Sequence, residues 1–243
     1  TGYGKYEVAL DDLITRDAFC VRPSGTYPGW STPLVGYLNR LQVEGRIGTY
    51  IDVGAHLGLT TIPLALRPQG RQPAMYAFEP TLANWLLLER NLTLHNPLGG
   101  RVTRVNKAVS DRTGKVEIAL APYNRHDHRV RVPGVPPVVG GFYDTKGRQV
   151  VEVECTTLDD WFLDHLGAVG IERLPRPLVV KIDVQGHEWH VLEGAAMLRP
   201  DIVILEYWPY GLIQAGVSEG QFTELLGEYA YGAVLVDPPV RCV

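Results

Sequence analysis

The run Tyr50-Ile51-Asp52-Val53-Gly54-Ala55-His56-Leu57-Gly58-Leu59-Thr60-Thr61 constrains the fold more than any other part of the chain. It begins as a β-branched apolar stretch, turns through one acid and two glycines, and continues into Ile62-Pro63-Leu64-Ala65-Leu66. A short buried strand that breaks at glycine and passes into a helix is the first β-turn-α step of a doubly wound parallel sheet. Gly54 and Gly58 are expected to let the backbone approach a ligand with no Cβ in the way. The helix start is expected to offer free N–H groups and a partial positive charge.

The acid selects among ligands. A dinucleotide turn, G-x-G-x-x-G, is neutral because a carboxylate there would repel the pyrophosphate. Here the order is D-x-G-x-x-x-G, and Asp52 stands where that anion would lie. A carboxylate beside the turn suits a ligand with a cationic centre, and S-adenosylmethionine carries both a sulfonium and an α-amino group. The alternative is that Asp52 caps the following helix while the glycines serve a tight turn.

The strand-helix rhythm repeats. Met75-Tyr76-Ala77-Phe78-Glu79 reads as a second buried strand, and Pro80-Thr81 opens a helix running from Leu82 to about His95. Glu79 lies about 20 residues beyond the glycine loop, where ribose hydroxyls are gripped in dinucleotides and adenosyl cofactors alike. Arg101–Asn106 alternates as a third strand. Ala108 and Val109 then suit an adenine-facing wall, with Ser110 or Asp111 bonding the adenine amine; the alternative is a plain turn into Lys115–Leu120. Leu178–Asp183 is the next parallel strand, and Val184-Gln185-Gly186-His187-Glu188 opens a helix through Leu198. Asp201–Glu206 is a further strand, Tyr207-Trp208-Pro209 an aromatic substrate rim, Gln221–Leu226 a helix and Ala233–Val236 a late strand. Ligands in open α/β sheets sit beyond the carboxyl ends of strands, which makes Lys181, Asp183, Gln185, His187 and Glu188 site candidates.

Two regions stand outside this rhythm. Residues 1–48 form an N-terminal extension, with short strands at Val8–Leu10 and Ala18–Val21, a turn at Ser24–Gly29, and a helix capped by Ser31 or Thr32 with Pro33 in its first turn. By analogy such an extension covers the cofactor cleft. Residues 121–149 form an inserted loop whose Pro133-Gly134-Val135-Pro136-Pro137 and Gly140-Gly141 exclude regular structure, as in a lid or mobile loop. His126 and His128 in that insert offer contacts to substrate or a metal, but two histidines two apart in a loop are more often solvated, and they stay outside the catalytic set.

A chain of 243 residues fits one α/β domain, and its net charge of −4 with no basic stripe gives no sign of nucleic acid as a partner. No apolar run approaches the roughly 18–20 residues that span a bilayer. Cys20, Cys155 and Cys242 are odd in number and scattered, which reads as reduced thiols in a cytoplasmic protein, with Cys155 a small core residue. No secretory signal is read; because the chain begins at Thr1, a leader or upstream domain is left open.

With these pieces in place the chain resembles the FkbM-type methyltransferases, a branch of the S-adenosylmethionine-dependent Rossmann-like enzymes. The likeness covers roughly residues 49–208. It rests on Ile51–Gly58, Phe78-Glu79-Pro80, Ala108–Asp111, Thr157-Leu158-Asp159 and above all Lys181-Ile182-Asp183-Val184-Gln185-Gly186-His187-Glu188. Two positions depart from the family pattern: His56 stands where Asn is common, and Gln185 replaces the usual Glu, removing a negative charge. The resemblance implies a Rossmann-like, doubly wound, mostly parallel seven-stranded sheet with a terminal antiparallel hairpin, residues 49–243 forming the methyltransferase domain. It also implies methyl transfer to a hydroxyl of a sugar or natural-product substrate, with the extension and the insert choosing the acceptor.

The resulting cofactor set is Asp52, Gly54, Ala55, His56, Gly58, Glu79, Ala108, Val109, Ser110 and Asp183, around S-adenosyl-L-methionine. The catalytic set is Asp183, His187 and Lys181, the first two as general bases and Lys181 alternatively pairing with Asp183 or Glu188. No residue is assigned to a metal, although Asp183 and Glu206 offer oxygen ligands for Mg²⁺. The expected partner is a small hydroxylated molecule, with no membrane or nucleic acid; a homodimer is left open. The rival readings are a nicotinamide oxidoreductase and a non-catalytic nucleotide-binding module of the same fold.

Overall fold

The computed structural model describes residues 6–9, 11–12, 31–67, 72–95, 100–137, 139, 144–167 and 170–228. The strand expected at Ala18–Val21, the turn at Ser24–Gly29, Gly140-Gly141, Cys20, Cys242 and the late strand Ala233–Val236 lie outside the described residues. Val8 and Ala9 are not in a strand.

Five strands make the main sheet: β1 (Thr49–Val53), β2 (Ala74–Phe78), β3 (Val102–Val105), β8 (Leu178–Ile182) and β9 (Ile202–Leu205). They lie in the order β3-β2-β1-β8-β9, every neighbour parallel. The chain builds outward from β1 to β2 and β3, then returns to β1's other side as β8 and β9. The switch between β1 and β8 opens a crevice at their carboxyl ends. Among the described residues the main sheet thus has five strands, where the resemblance implied seven.

The pleat sends alternate residues to opposite faces. Ile51, Val53, Phe78, Val180 and Ile182 bury one face under α4 (Leu158–Leu166) and α5 (Glu188–Glu193). Tyr50, Met75, Ala77 and Val179 bury the other under α1 (Ser31–Val43), α2 (Thr61–Ala65) and α3 (Leu82–Leu94). Thr157 caps α4 by accepting the Asp160 N–H at 2.8 Å.

A second sheet was not foreseen as a unit. β4 (Ala108–Val109), β5 (Gly114–Ala119), β6 (Arg129–Arg131) and β7 (Val150–Thr156) lie in the order β4-β7-β5-β6, with β5 antiparallel to both neighbours. The insert is therefore partly regular: Arg125–Asp127 forms a 3-10 turn and β6 a strand. Cys155 is buried between Ala108 and Val116, a core residue as expected.

A further difference lies after β8. The helix expected from Val184 begins only at Glu188, because Gln185 and Gly186 take positive φ values of 55° and 103°. The Glu188 carboxylate holds that turn, its Oε1 accepting the N–H groups of Val184 (3.1 Å) and Gly186 (3.2 Å).

Candidate active site

The carboxyl ends of β1, β2 and β8 open into a cleft of about 660 Å³, part of it exposed to solvent. Glu79, Ala108, Val109 and Asp183 form its floor and walls, while Arg125, His126 and His128 from the insert form its roof. The two histidines read as solvated are therefore cleft residues. Burial pushes both rings down, His128 to about 4, so they stand neutral near pH 7. No sequence period marks them, since their placement follows from β6 folding back on β5.

Asp52 does not face this cleft. It has no exposed surface, and in the parallel register it sits beside Lys181. Its Oδ1 pairs with the Lys181 ammonium at 3.0 Å, and its Oδ2 accepts the hydroxyls of Thr60 (2.5 Å) and Thr61 (2.6 Å). The expectation that Asp52 meets a cationic ligand is corrected: its charge is met inside the protein. Lys181 is corrected with it. Its ammonium also donates to the Gly54 carbonyl at 2.9 Å and lies 3.7 Å from Asp183. Burial works to lower its pKa, but the neighbouring Asp52 and Asp183 carboxylates more than offset this, and the net shift is upward. Lys181 is a charged positioning residue that does not itself line the cleft but holds Gly54 and Asp183, which do.

The two glycines serve packing rather than ligand approach. Gly54 lines the cleft, yet a Cβ there would collide with the Asp183 carbonyl; Gly58 would place one 2.7 Å from the Ile62 side chain. Both have positive φ, 77° and 94°, which favours glycine. Ala55 is buried, its N–H donating to the Phe78 carbonyl at 2.9 Å. The helix that follows is only five residues long.

Glu79 is where the sequence placed it. It is buried at the cleft wall, and burial pushes its carboxyl up against the pull of its hydrogen bonds. Its Oε1 accepts the Thr81 N–H (3.1 Å) and hydroxyl (2.7 Å), and its Oε2 accepts the His56 N–H (3.0 Å). These bonds take three of a carboxylate's roughly four acceptor positions, and Asn84 also draws on the group. Phe78, Ala108, Val109, Ile118 and Val130 supply an apolar wall nearby. Ser110, assigned to the adenine amine, is fully buried behind that wall, its hydroxyl donating to Asp111 at 2.9 Å. Its oxygen lies 3.0 Å from His187 Nε2. With the serine proton given to Asp111, His187 Nε2 must carry the donating proton.

Asp183 faces the cleft, its side chain about one-third exposed. The Gln185 amide donates to Asp183 (3.0 Å) and to Glu206 (3.2 Å). The departure from Glu at this position thus bridges two carboxylates where a third would repel both. His187 is also on the cleft, but burial and the stacked His190 ring, 4.0 Å away, push its pKa well down. Of the two bases expected, Asp183 is the more accessible.

Residues 52–224 match the family model described as the methyltransferase FkbM domain. The chain is 27% identical over 188 residues to the methyltransferase sdnD of Sordaria araneosa, spanning 67% of each protein. It also aligns with the crystal structure of an FkbM methyltransferase from Methylobacillus flagellatus KT at 16% identity and a TM-score of 0.43. That alignment spans 76% of this chain and 37% of the bacterial one.

Proposed function

The chain belongs to the FkbM methyltransferase family, and on that premise we propose that it transfers a methyl group from S-adenosylmethionine to a hydroxyl of a small sugar-like or natural-product acceptor. The observation that carries this reading is Glu79, a buried carboxylate at the tip of β2 on the wall of an apolar-lined crevice at the switch point of the sheet. Such a pairing fits a ribose and its attached base. When bound, the cofactor supplies a methyl group on a good leaving group, so the protein's contribution is alignment and exclusion of water.

The side chains divide that work. Glu79 would take ribose hydroxyls, while Ala108, Val109, Ile118 and Val130 would shelter the adenine from water. Lys181 and Gln185 hold the Asp183 carboxylate between them. Asp183 would take the proton from the acceptor hydroxyl, a role typically contributing about 10²–10⁴-fold. Arg125, His126 and His128 overhang the mouth, where an acceptor would enter.

Calorimetry with S-adenosylhomocysteine tests the reading, followed by tritiated methyl uptake into a panel of hydroxylated glycosides. Glu79→Ala should weaken binding by tenfold or more, as expected for loss of a hydrogen bond to a charged group. Heat from NAD and none from S-adenosylhomocysteine would return the oxidoreductase reading. Binding without transfer to any acceptor would favour the non-catalytic module.

A further inference from the structure

At the mouth of the cleft three side chains converge that the proposed methyl transfer does not use: Asp12, His56 and His126. One ligand atom from each lies within 4.8 Å of the others. His56 Nε2 is 4.0 Å and His126 Nε2 3.7 Å from Asp12 Oδ2. The Asp12 side chain is 1% exposed and His56 is 8% exposed as a residue. Among the described residues neither ring nitrogen of His56 has a hydrogen-bond partner. Burying an imidazole without partners costs free energy. The backbone adds a second cost, since His56 holds φ of 51°, a left-handed value that non-glycine residues seldom adopt.

From this convergence we propose that Asp12, His56 and His126 form a binding site for a divalent transition metal ion at the rim of the cleft. Two imidazoles and one carboxylate are a donor set suited to Zn²⁺ or Fe²⁺, and they leave coordination positions open. A tetrahedral ion about 2.1 Å from each ligand holds them about 3.4 Å apart. The two separations from Asp12, 3.7 and 4.0 Å, exceed that by about 0.3 and 0.6 Å, and all three ligand atoms lie within 4.8 Å of one another, so the side chains would have to draw together around the ion.

The site is also held in place before any ion arrives. Arg125 grips Asp11 through both carboxylate oxygens at 2.9 and 2.8 Å, which fixes the neighbouring Asp12 against the roof. The His56 and His126 rings lie 3.9 Å apart, and the His56 N–H is tied to Glu79. Each ligand thus sits on a segment anchored by its own hydrogen bonds, as ligand sites require. His56 and His126 both line the cleft, so an open position on the ion faces the space where an acceptor enters. A metal-bound hydroxyl loses its proton far more readily than a free one. That use of the ion rests on the methyl-transfer reading; the binding itself does not.

The test is calorimetric titration of chelator-stripped protein with ZnCl₂, repeated with CoCl₂ while the visible absorption of Co²⁺ is followed. One Zn²⁺ per chain is expected, with nitrogen-ligated Co²⁺ giving intense tetrahedral bands. Asp12→Asn, His56→Asn and His126→Gln should each weaken Zn²⁺ binding by more than the roughly 10–100-fold typical of an outer-ligand change. Far-ultraviolet circular dichroism checks that each variant folds. His56→Asn is the most informative, because Asn tolerates positive φ and keeps the peptide N–H. No heat from the stripped wild-type protein, or heat that all three substitutions leave unchanged, would overturn the proposal. S-adenosylhomocysteine titrated into the same samples reports on the cofactor reading separately, so either can fail alone.

Discussion

The residue whose surroundings differ most from expectation is Asp52. Sequence alone shows an acid at a strand tip but not that Lys181, far along the chain, occupies the adjacent register position. Parallel neighbours are set by topology, and no local spacing reveals them. The position of Glu79 at the cleft was legible because it follows from one strand and one loop. Ser110 was legible as a member of a small-residue segment, but not as one turned behind the wall. The Asp52–Lys181 pair yields a prediction at this scale. Removing one partner of a buried ion pair leaves an uncompensated charge, typically costing about 3–5 kcal/mol. Lys181→Met should therefore lower the urea-unfolding free energy by about that much, and adding Asp52→Asn should recover part of it. A loss below 1 kcal/mol in the single variant would show that the pair does not hold the strand ends.

At the scale of elements, the main-sheet strands and their order of appearance were readable, β2, β8 and β9 as apolar runs ending in acids. The turn after β8 was not, because no local spacing shows that the Glu188 carboxylate reaches back to the Val184 and Gly186 N–H groups and keeps them out of the helix. That carboxylate has a consequence for pH. Burial pushes it up to about 7, against the pull of the Gly186 and Val184 N–H groups. In the unfolded chain an ordinary glutamate titrates near 4.3. Between these values the folded state holds the proton that the unfolded state has released. The contribution is fully present below about pH 4 and is lost as pH rises through about 7. Glu188→Gln removes the titration, so its stability relative to wild type should improve by about 3 kcal/mol from pH 4 to pH 8. A difference that stays flat across that range in chemical denaturation would mean that Glu188 titrates normally.

For the molecule as a whole, the central question is how the second sheet is fastened to the first. Asp127 accepts from Arg129 at 2.6 Å and from Arg148 at 2.7 Å, and Arg148 also donates to the Asp127 carbonyl at 2.7 Å. The Arg129 guanidinium lies 4.6 Å from the ring centre of Trp208, just beyond β9. One buried acid thus orders the roof and, through Arg129, fastens it to the rim that the sequence assigned to substrate. Asp127→Ala should raise hydrogen exchange across β6 by more than tenfold while β1 and β8 stay protected; unchanged exchange in β6 would show that strand pairing alone holds the roof. The insert was illegible for a related reason: its strand is specified by charge pairs across the fold, not by hydrophobic period. The strand order carries a last implication, for the time when the chain is made. β1 receives β2 early on one side, but its other edge waits for β8, which leaves the ribosome only after the entire second sheet. Until then the nascent protein carries an open apolar strand edge and half a crevice, so chaperone demand should peak in that interval and a stalled chain would bind nothing.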